Sequence, residues 1–224
     1  MIQSTAFEAT AMPLLSRPIA GPRPLVGVPA DRLASIVGLW QNPAILESGP
    51  GFGEAGRWSI FAARPRLIFE ATGTSWSIRD DRDQTARGSG DVLARLGGLF
   101  DQYGLGQAKD YASPGMDGGC PFRGGMIGSI GYDLAPLLER LPRRTPRDSS
   151  LPDLWFALYD TAVTVDNQTG EVEVRAWDLM GEGAWAVERR RARWIEALQA
   201  EARRRRPIPI STLGPVVPDM TREA

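Results

Sequence analysis

The 224-residue chain has no histidine, and this absence excludes more chemistry than any other feature. Without imidazole there is no side chain that titrates unperturbed near neutral pH, no Ser-His or Cys-His nucleophilic pair, and no copy of the commonest metal ligand. A single cysteine, Cys120, allows neither an intrachain disulfide nor a thiolate zinc cluster, and this usage suits a reducing compartment. A charge excess is missing too: 26 basic residues against 27 acidic ones give a formal charge of -1, so no net field attracts nucleic acid or an anionic membrane. No apolar run approaches the ~20 residues of a membrane span, and the start MIQSTAFEATAMPLLSRPIAGPRP lacks the charged and apolar regions of a secretory signal. A cytoplasmic protein without membrane or nucleic-acid partners is expected.

What is present is ordinary for a globular protein. Hydrophobic residues make up 42% and charged residues 24%, enough apolar matter for a sizeable core in one large or two small domains. Residues 1–24 read as an irregular, proline-bearing lead-in. Leu33, Ile36, Val37 and Trp40 then recur at helical spacing within 31–41, and Pro43 stops the helix. Residues 44–48, 57–63, 66–71 and 75–79 read as strands of an antiparallel meander, interrupted by the glycine-rich stretch 49–56. The charged segment 80–90 reads as a loop, and 91–103 places Val92, Leu96, Leu99, Phe100 and Tyr103 on one helical face.

Beyond a loop over 104–122, residues 123–131 are too glycine-rich for a helix and suit a strand that another backbone approaches closely. Residues 132–141 read as helical. Residues 154–166, turn residues 167–170 and the alternating stretch 171–177 predict a hairpin. A helix follows over 184–205, with Val187, Trp194, Ile195, Leu198 and Ala202 along one stripe, and 207–224 reads as a linker. Strands at both ends with helices between them, and no recurring βαβ unit, predict an α+β fold of largely antiparallel, sandwich-like sheets with flanking helices. The main domain is expected to run over 25–206.

Three patterns suggest chemistry and have simpler explanations. Gly51, Gly53 and Gly56 match G-x-G-x-x-G, but a strand-like segment rather than a helix follows, so the dinucleotide interpretation fails on context. Arg189, Arg190, Arg191 and Arg193 would suit phosphate binding, yet Glu188, Glu196 and Glu201 are interleaved at helical spacing, as on a solvated face. Carboxylate pairs such as Asp80 with Asp81, or Glu182 with Glu188, have nothing to position them as an acid-base pair or magnesium ligands.

The string Pro121-Phe122-Arg123-Gly124-Gly125-Met126-Ile127-Gly128-Ser129-Ile130-Gly131-Tyr132-Asp133-Leu134 resembles the P-F-x-G-G-x-x-G-x-x-G-Y-D-L signature of the amino-terminal domain of anthranilate and aminodeoxychorismate synthase component I. Leu138-Glu139-Arg140-Leu141-Pro142 resembles that family's F-E-x-L-P, and Leu151-Pro152-Asp153-Leu154 through Tyr159-Asp160 to Val165-Asp166 resembles its L-P-D strand ending in Y-D and V-D. Ile45-Leu46-Glu47-Ser48 and Gly56-Arg57-Trp58-Ser59-Ile60 look like its L-L-E-S and G-R-Y-S segments, and Met220-Thr221-Arg222-Glu223 like its M-T-R-E entry into the catalytic domain.

The resemblance implies a non-catalytic domain supporting chorismate amination, on the aminodeoxychorismate branch toward 4-aminobenzoate and folate or on the anthranilate branch toward tryptophan. It also implies a tryptophan pocket at Leu46, Glu47, Ser48, Arg57, Trp58 and Ser59. There Glu47 would pair with the ammonium group, Ser48 and Arg57 with the carboxylate, and Leu46 and Trp58 with the indole. Equally, Glu47 and Ser48 would serve to end a strand, and Trp58 to fill the space itself. The implied partners are a chorismate-binding catalytic domain and a glutamine amidotransferase subunit. Magnesium and every catalytic position belong to the catalytic domain, so this chain alone is expected to be inactive and to hold no cofactor. A free-standing amino-acid-binding regulatory module is the rival interpretation.

Overall fold

The computed structural model describes residues 23–49, 52–105, 120–139 and 150–204. Among these residues, ten strands form two five-stranded antiparallel sheets. The first sheet runs in the order β1 (Arg23–Pro24), β10 (Val172–Ala176), β9 (Thr161–Asp166), β3 (Trp58–Ala62), β2 (Ala44–Leu46). The second runs β6 (Thr85–Ser89), β5 (Ser75–Asp80), β4 (Leu67–Thr72), β8 (Leu154–Tyr159), β7 (Gly125–Ile130). Helices α1 (Leu33–Val37), α2 (Val92–Gln102), α3 (Ala135–Leu138) and α4 (Ala184–Arg203) flank them. The expected α+β, sandwich-like class with flanking helices is the one observed.

Side-chain alternation along the strands separates three cores. On one face of the first sheet, Phe61, Val163, Val165 and Val174 pack against Leu33, Ile36 and Val37 of α1 and Trp194 and Leu198 of α4. On its other face, Ile60, Ala62 and Ala162 meet Ile68, Ala157 and Tyr159 of the second sheet. The far side of the second sheet buries Phe69, Ala71 and Ile78 under Val92, Leu96 and Leu99 of α2. That last helix begins where its sequence says: the Asp91 carboxylate accepts from the Leu93 and Ala94 N–H groups at 3.0 and 2.9 Å.

Four sequence expectations are corrected. Residues 44–79 are not one meander, because β2 and β3 belong to the first sheet and β4 and β5 to the second. Residues 154–166 are likewise two strands, split at Asp160, where the chain passes from one sheet to the other. Period-2 alternation is identical in both sheets, so it carries no mark of the crossing. Only the β9–β10 half of the expected hairpin stands. The charged segment 80–90 is not all loop: 85–89 form β6, where Gly88 faces the Trp76 ring, which lies 2.4 Å from where a Cβ would be. The helix expected over 31–41 is a 3-10 turn, Ala30–Arg32, followed by one and a half turns of α1.

The glycine-rich β7 fits its expectation. Directly beside β8, Gly128 leaves no room for a Cβ, which would lie 2.1 Å from the Trp155 carbonyl oxygen and 2.6 Å from the Phe156 ring. The helix expected over 132–141 is a 3-10 turn, Tyr132–Leu134, continuing as α3 and ending at Leu138. The residues 207–224, read as a linker, and most of the lead-in 1–24 lie outside the described residues. Arg23 and Pro24 add β1 to the first sheet.

Candidate functional site

The segments carrying the six expected pocket residues converge at one end of the first sheet. Antiparallel pairing sets Leu46 opposite Ile60 and Trp58 opposite Asp166, so β2, β3 and the β9–β10 turn end together. The turn residue Asn167 ties them. Its backbone N–H donates to the Arg57 carbonyl at 2.7 Å. Its side-chain amide donates at 3.0 Å to both the Gly56 carbonyl and Ser59 Oγ, and reaches the Ser48 carbonyl at 3.4 Å. Ser59 Oγ, on a buried residue, also accepts from the Ser48 N–H at 3.1 Å. Gly56 is where the glycine-rich loop closes on itself, since a Cβ there would sit 2.8 Å from the Gly49 carbonyl oxygen.

Arg57 is already engaged. Its Nε and Nη2 donate to one carboxylate oxygen of Asp166 at 3.1 and 2.8 Å, and Glu54 lies 3.9 Å from Nη1. Hydrogen bonds from Arg57, and one from the Gln168 N–H at 2.9 Å, hold the Asp166 carboxyl below the usual carboxylate range. The Arg57 and Arg175 guanidinium groups lie 5.1 and 5.9 Å from the Trp58 ring centroid. Arg175 is buried, donating to Thr164 Oγ1 at 3.1 Å and to Glu173 at 2.6 Å.

Thus Ser48, Arg57 and Ser59 share one hydrogen-bonded knot with Asp166 and Asn167. Trp58 shares its face of the sheet with Ile60, the side turned toward the second sheet. Leu46 and Glu47 are exposed beside it. Sequence reasoning missed Asn167, which reads as a plain turn residue, and Asp166 as the partner of Arg57. The one available signal was the Asx-rich turn Asp166-Asn167, whose side chains satisfy nearby backbone groups.

A second polar centre lies where the chain crosses between the sheets. Asp160, buried between β8 and β9, has Arg190 Nη2 at 3.2 Å and Arg66 Nε at 3.5 Å. Both arginines also bind Glu182, and Arg66 lies 3.2 Å from Asp81. Burial raises the Asp160 carboxyl, against the pull of Arg190 and Arg66. Burial likewise opposes the charge on Glu182, yet bonds from the same arginines outweigh it and hold that carboxyl low.

The solvated-face interpretation of the α4 arginines therefore fails for two of them. Arg190 folds inward onto Thr161, Glu182 and the Trp177 carbonyl, while Arg191 is buried and bonded to Glu188. Glu182 and Glu188 hold different arginines, and Asp80 caps a turn by accepting from the Arg82 and Gln84 N–H groups at 2.9 and 2.8 Å. Among the described residues no three His, Cys, Asp or Glu side chains gather as a metal site. No helix there is long and apolar enough to cross a membrane.

No protein-family profile matches the chain. Over 134 residues it is 30% identical to aminodeoxychorismate synthase component 1 of Klebsiella aerogenes, a match covering 60% of this chain and 28% of that protein. It is 32% identical over 134 residues to anthranilate synthase component 1 of Mycobacterium tuberculosis (strain ATCC 25618 / H37Rv), covering 59% of this chain and 25% of the relative. The chain thus spans well under a third of either relative. The crystal structure of anthranilate synthase component I from Streptococcus pneumoniae TIGR4 superposes on 85% of this chain and 38% of its own, with a TM-score of 0.51 and 24% identity, a likeness of fold. The relatives of this chain are component I proteins of the aminodeoxychorismate and anthranilate synthases.

Proposed function

We propose that this chain is the amino-terminal, non-catalytic module of an aminodeoxychorismate synthase component I, a cytoplasmic protein supporting chorismate amination on the way to 4-aminobenzoate and folate. The observation that carries the proposal is the double match: component I relatives over about 60% of the chain, and a two-sheet fold shared with a component I structure over 85% of it. The anthranilate branch is the second reading, favoured by the 32% identity to the mycobacterial relative.

In this proposal chorismate, magnesium and the catalytic side chains belong to a chorismate-binding domain, and ammonia comes from a glutamine amidotransferase. No magnesium ligand is assigned to this chain. The catalytic domain would cover the apolar border beyond edge strand β7, where Ile130, Tyr132, Leu138 and Leu151 are 64%, 93%, 63% and 72% exposed. The module would hold L-tryptophan, as a structural or feedback ligand, between Leu46, Glu47, Ser48, Arg57, Trp58 and Ser59. Glu47, which is exposed, would meet the ammonium group, and half-buried Trp58 would pack against the indole. Arg57 would receive the ligand carboxylate in competition with Asp166, its present partner.

Thermal unfolding of the full chain with and without L-tryptophan tests this. A ligand held at 100 times its dissociation constant stabilises by ~2.7 kcal/mol. A shift that phenylalanine does not reproduce and that Glu47→Ala removes supports the pocket. No shift in a cooperatively folding chain leaves a scaffold without a ligand and removes the sensing role.

A further inference from the structure

We propose that the cleft between α4 and the turns leaving β3 and β5 is a binding site for a small multivalent oxyanion, a carboxylate or phosphate compound, held by Arg64, Arg189 and Arg193. The cleft encloses about 460 Å³. Eleven charged side chains line it, and accounting for their partners isolates these three.

The carboxylates in the cleft are all engaged. Asp160 and Glu182 are held by Arg66 and Arg190, and Asp81 by Arg66. Asp83 lies 3.4 Å from Arg79, and Asp80 accepts two backbone N–H bonds. That leaves Arg64, Arg189 and Arg193 with no carboxylate at ion-pair distance among the described residues. Helical spacing puts Arg189 and Arg193 one turn apart, on the α4 stripe that also carries Ala186, Arg190 and Trp194 into the cleft wall.

Arg64 is placed deliberately. Its backbone takes φ +56°, a left-handed conformation uncommon for a side-chain-bearing residue, and its N–H donates to the Gln41 carbonyl at 2.8 Å. The guanidinium stacks 4.0 Å from the Trp40 ring centroid, and Trp40 meets Trp194 edge-on at 4.9 Å. Arg189 stacks likewise on Trp185 at 4.4 Å. A guanidinium held by its face keeps its N–H edge for a carboxylate or phosphate, with little side-chain freedom left to lose on binding. Arg64 is exposed overall, and the partial burial of its guanidinium lowers its pKa with no carboxylate to offset it, a compensation that an arriving anion would supply.

Inorganic pyrophosphate and citrate, titrated separately into the full chain by calorimetry at fixed ionic strength, test the site and distinguish phosphate from carboxylate. Saturable binding of either is expected, weakened about tenfold or more by Arg64→Gln and by Arg193→Gln, as when one charge-assisted fork is lost. Arg87→Gln, on exposed β6 outside the cleft, should bind as the wild type does. Arg193 is exposed on a helix, so its variant should keep the fold, which circular dichroism verifies. Absence of saturable binding by both anions, or equal binding by all the variants, overturns the proposal.

Discussion

Asn167→Ala probes the knot that closes one end of the first sheet. The substitution deletes two 3.0 Å hydrogen bonds, to the Gly56 carbonyl and Ser59 Oγ, and the longer reach to the Ser48 carbonyl. It leaves the 2.7 Å backbone bond to Arg57 in place. The φ of Asn167 is not positive, so alanine fits the backbone and the loss reports side-chain bonding. At a net ~1 kcal/mol for each of two good bonds, the cost is about 2 kcal/mol. In a domain of this size that corresponds to a fall of about 4–8 °C in melting temperature.

Asn167→Asp should cost more than alanine, because it sets a carboxylate against two carbonyl oxygens and next to Asp166. Urea unfolding of the full chain, followed by tryptophan fluorescence and circular dichroism, measures both. Paired with Ser59→Ala in a double-mutant cycle, Asn167→Ala should be non-additive by about 0.5 kcal/mol or more. An aspartate variant as stable as the wild type, or an alanine cost under about 0.5 kcal/mol, would refute the role given to Asn167.

Two more predictions concern packing and pH. Gly128→Ala should cost more than the ~1–3 kcal/mol usual for overpacking, because the obstacle is a backbone oxygen that cannot rotate aside. Gly97→Ala, with nothing within 4 Å and a place inside α2, should instead stabilise by up to ~1 kcal/mol, and denaturant midpoints compare the two. Arg57 keeps the folded Asp166 pKa below its unfolded value, so that carboxylate contributes stability above about pH 4 and loses it as pH falls through the lowered folded pKa. Urea midpoints measured down the acid limb should therefore fall less steeply in Asp166→Asn, and an unchanged slope would contradict the pairing.

The class of fold was legible because its signals are local. Alternation marked the strands, the 3.6-residue period marked α2 and α4, and the glycines of β7 announced a close backbone approach that Gly128 makes. Which strands share a sheet was not legible. Residues 154–166 read as one strand because the chain remains extended and apolar through Asp160, the residue at which it changes sheets.

The repertoire was already readable in the residues: no imidazole chemistry, no intrachain disulfide, an antiparallel α+β architecture, and the segments that resemble component I proteins. Which charges meet depends on the packed fold. Arg57 and Asp166 are 109 residues apart, Arg66 and Glu182 are 116 apart, and local periodicity carries no record of contacts at such separations. An arginine run on a helix looks solvated until the fold turns Arg190 and Arg191 inward and leaves Arg189 and Arg193 facing a cleft. The cause is geometric: burial and pairing are set by what the other elements place opposite a side chain, and that exists only after the two sheets and α4 have packed.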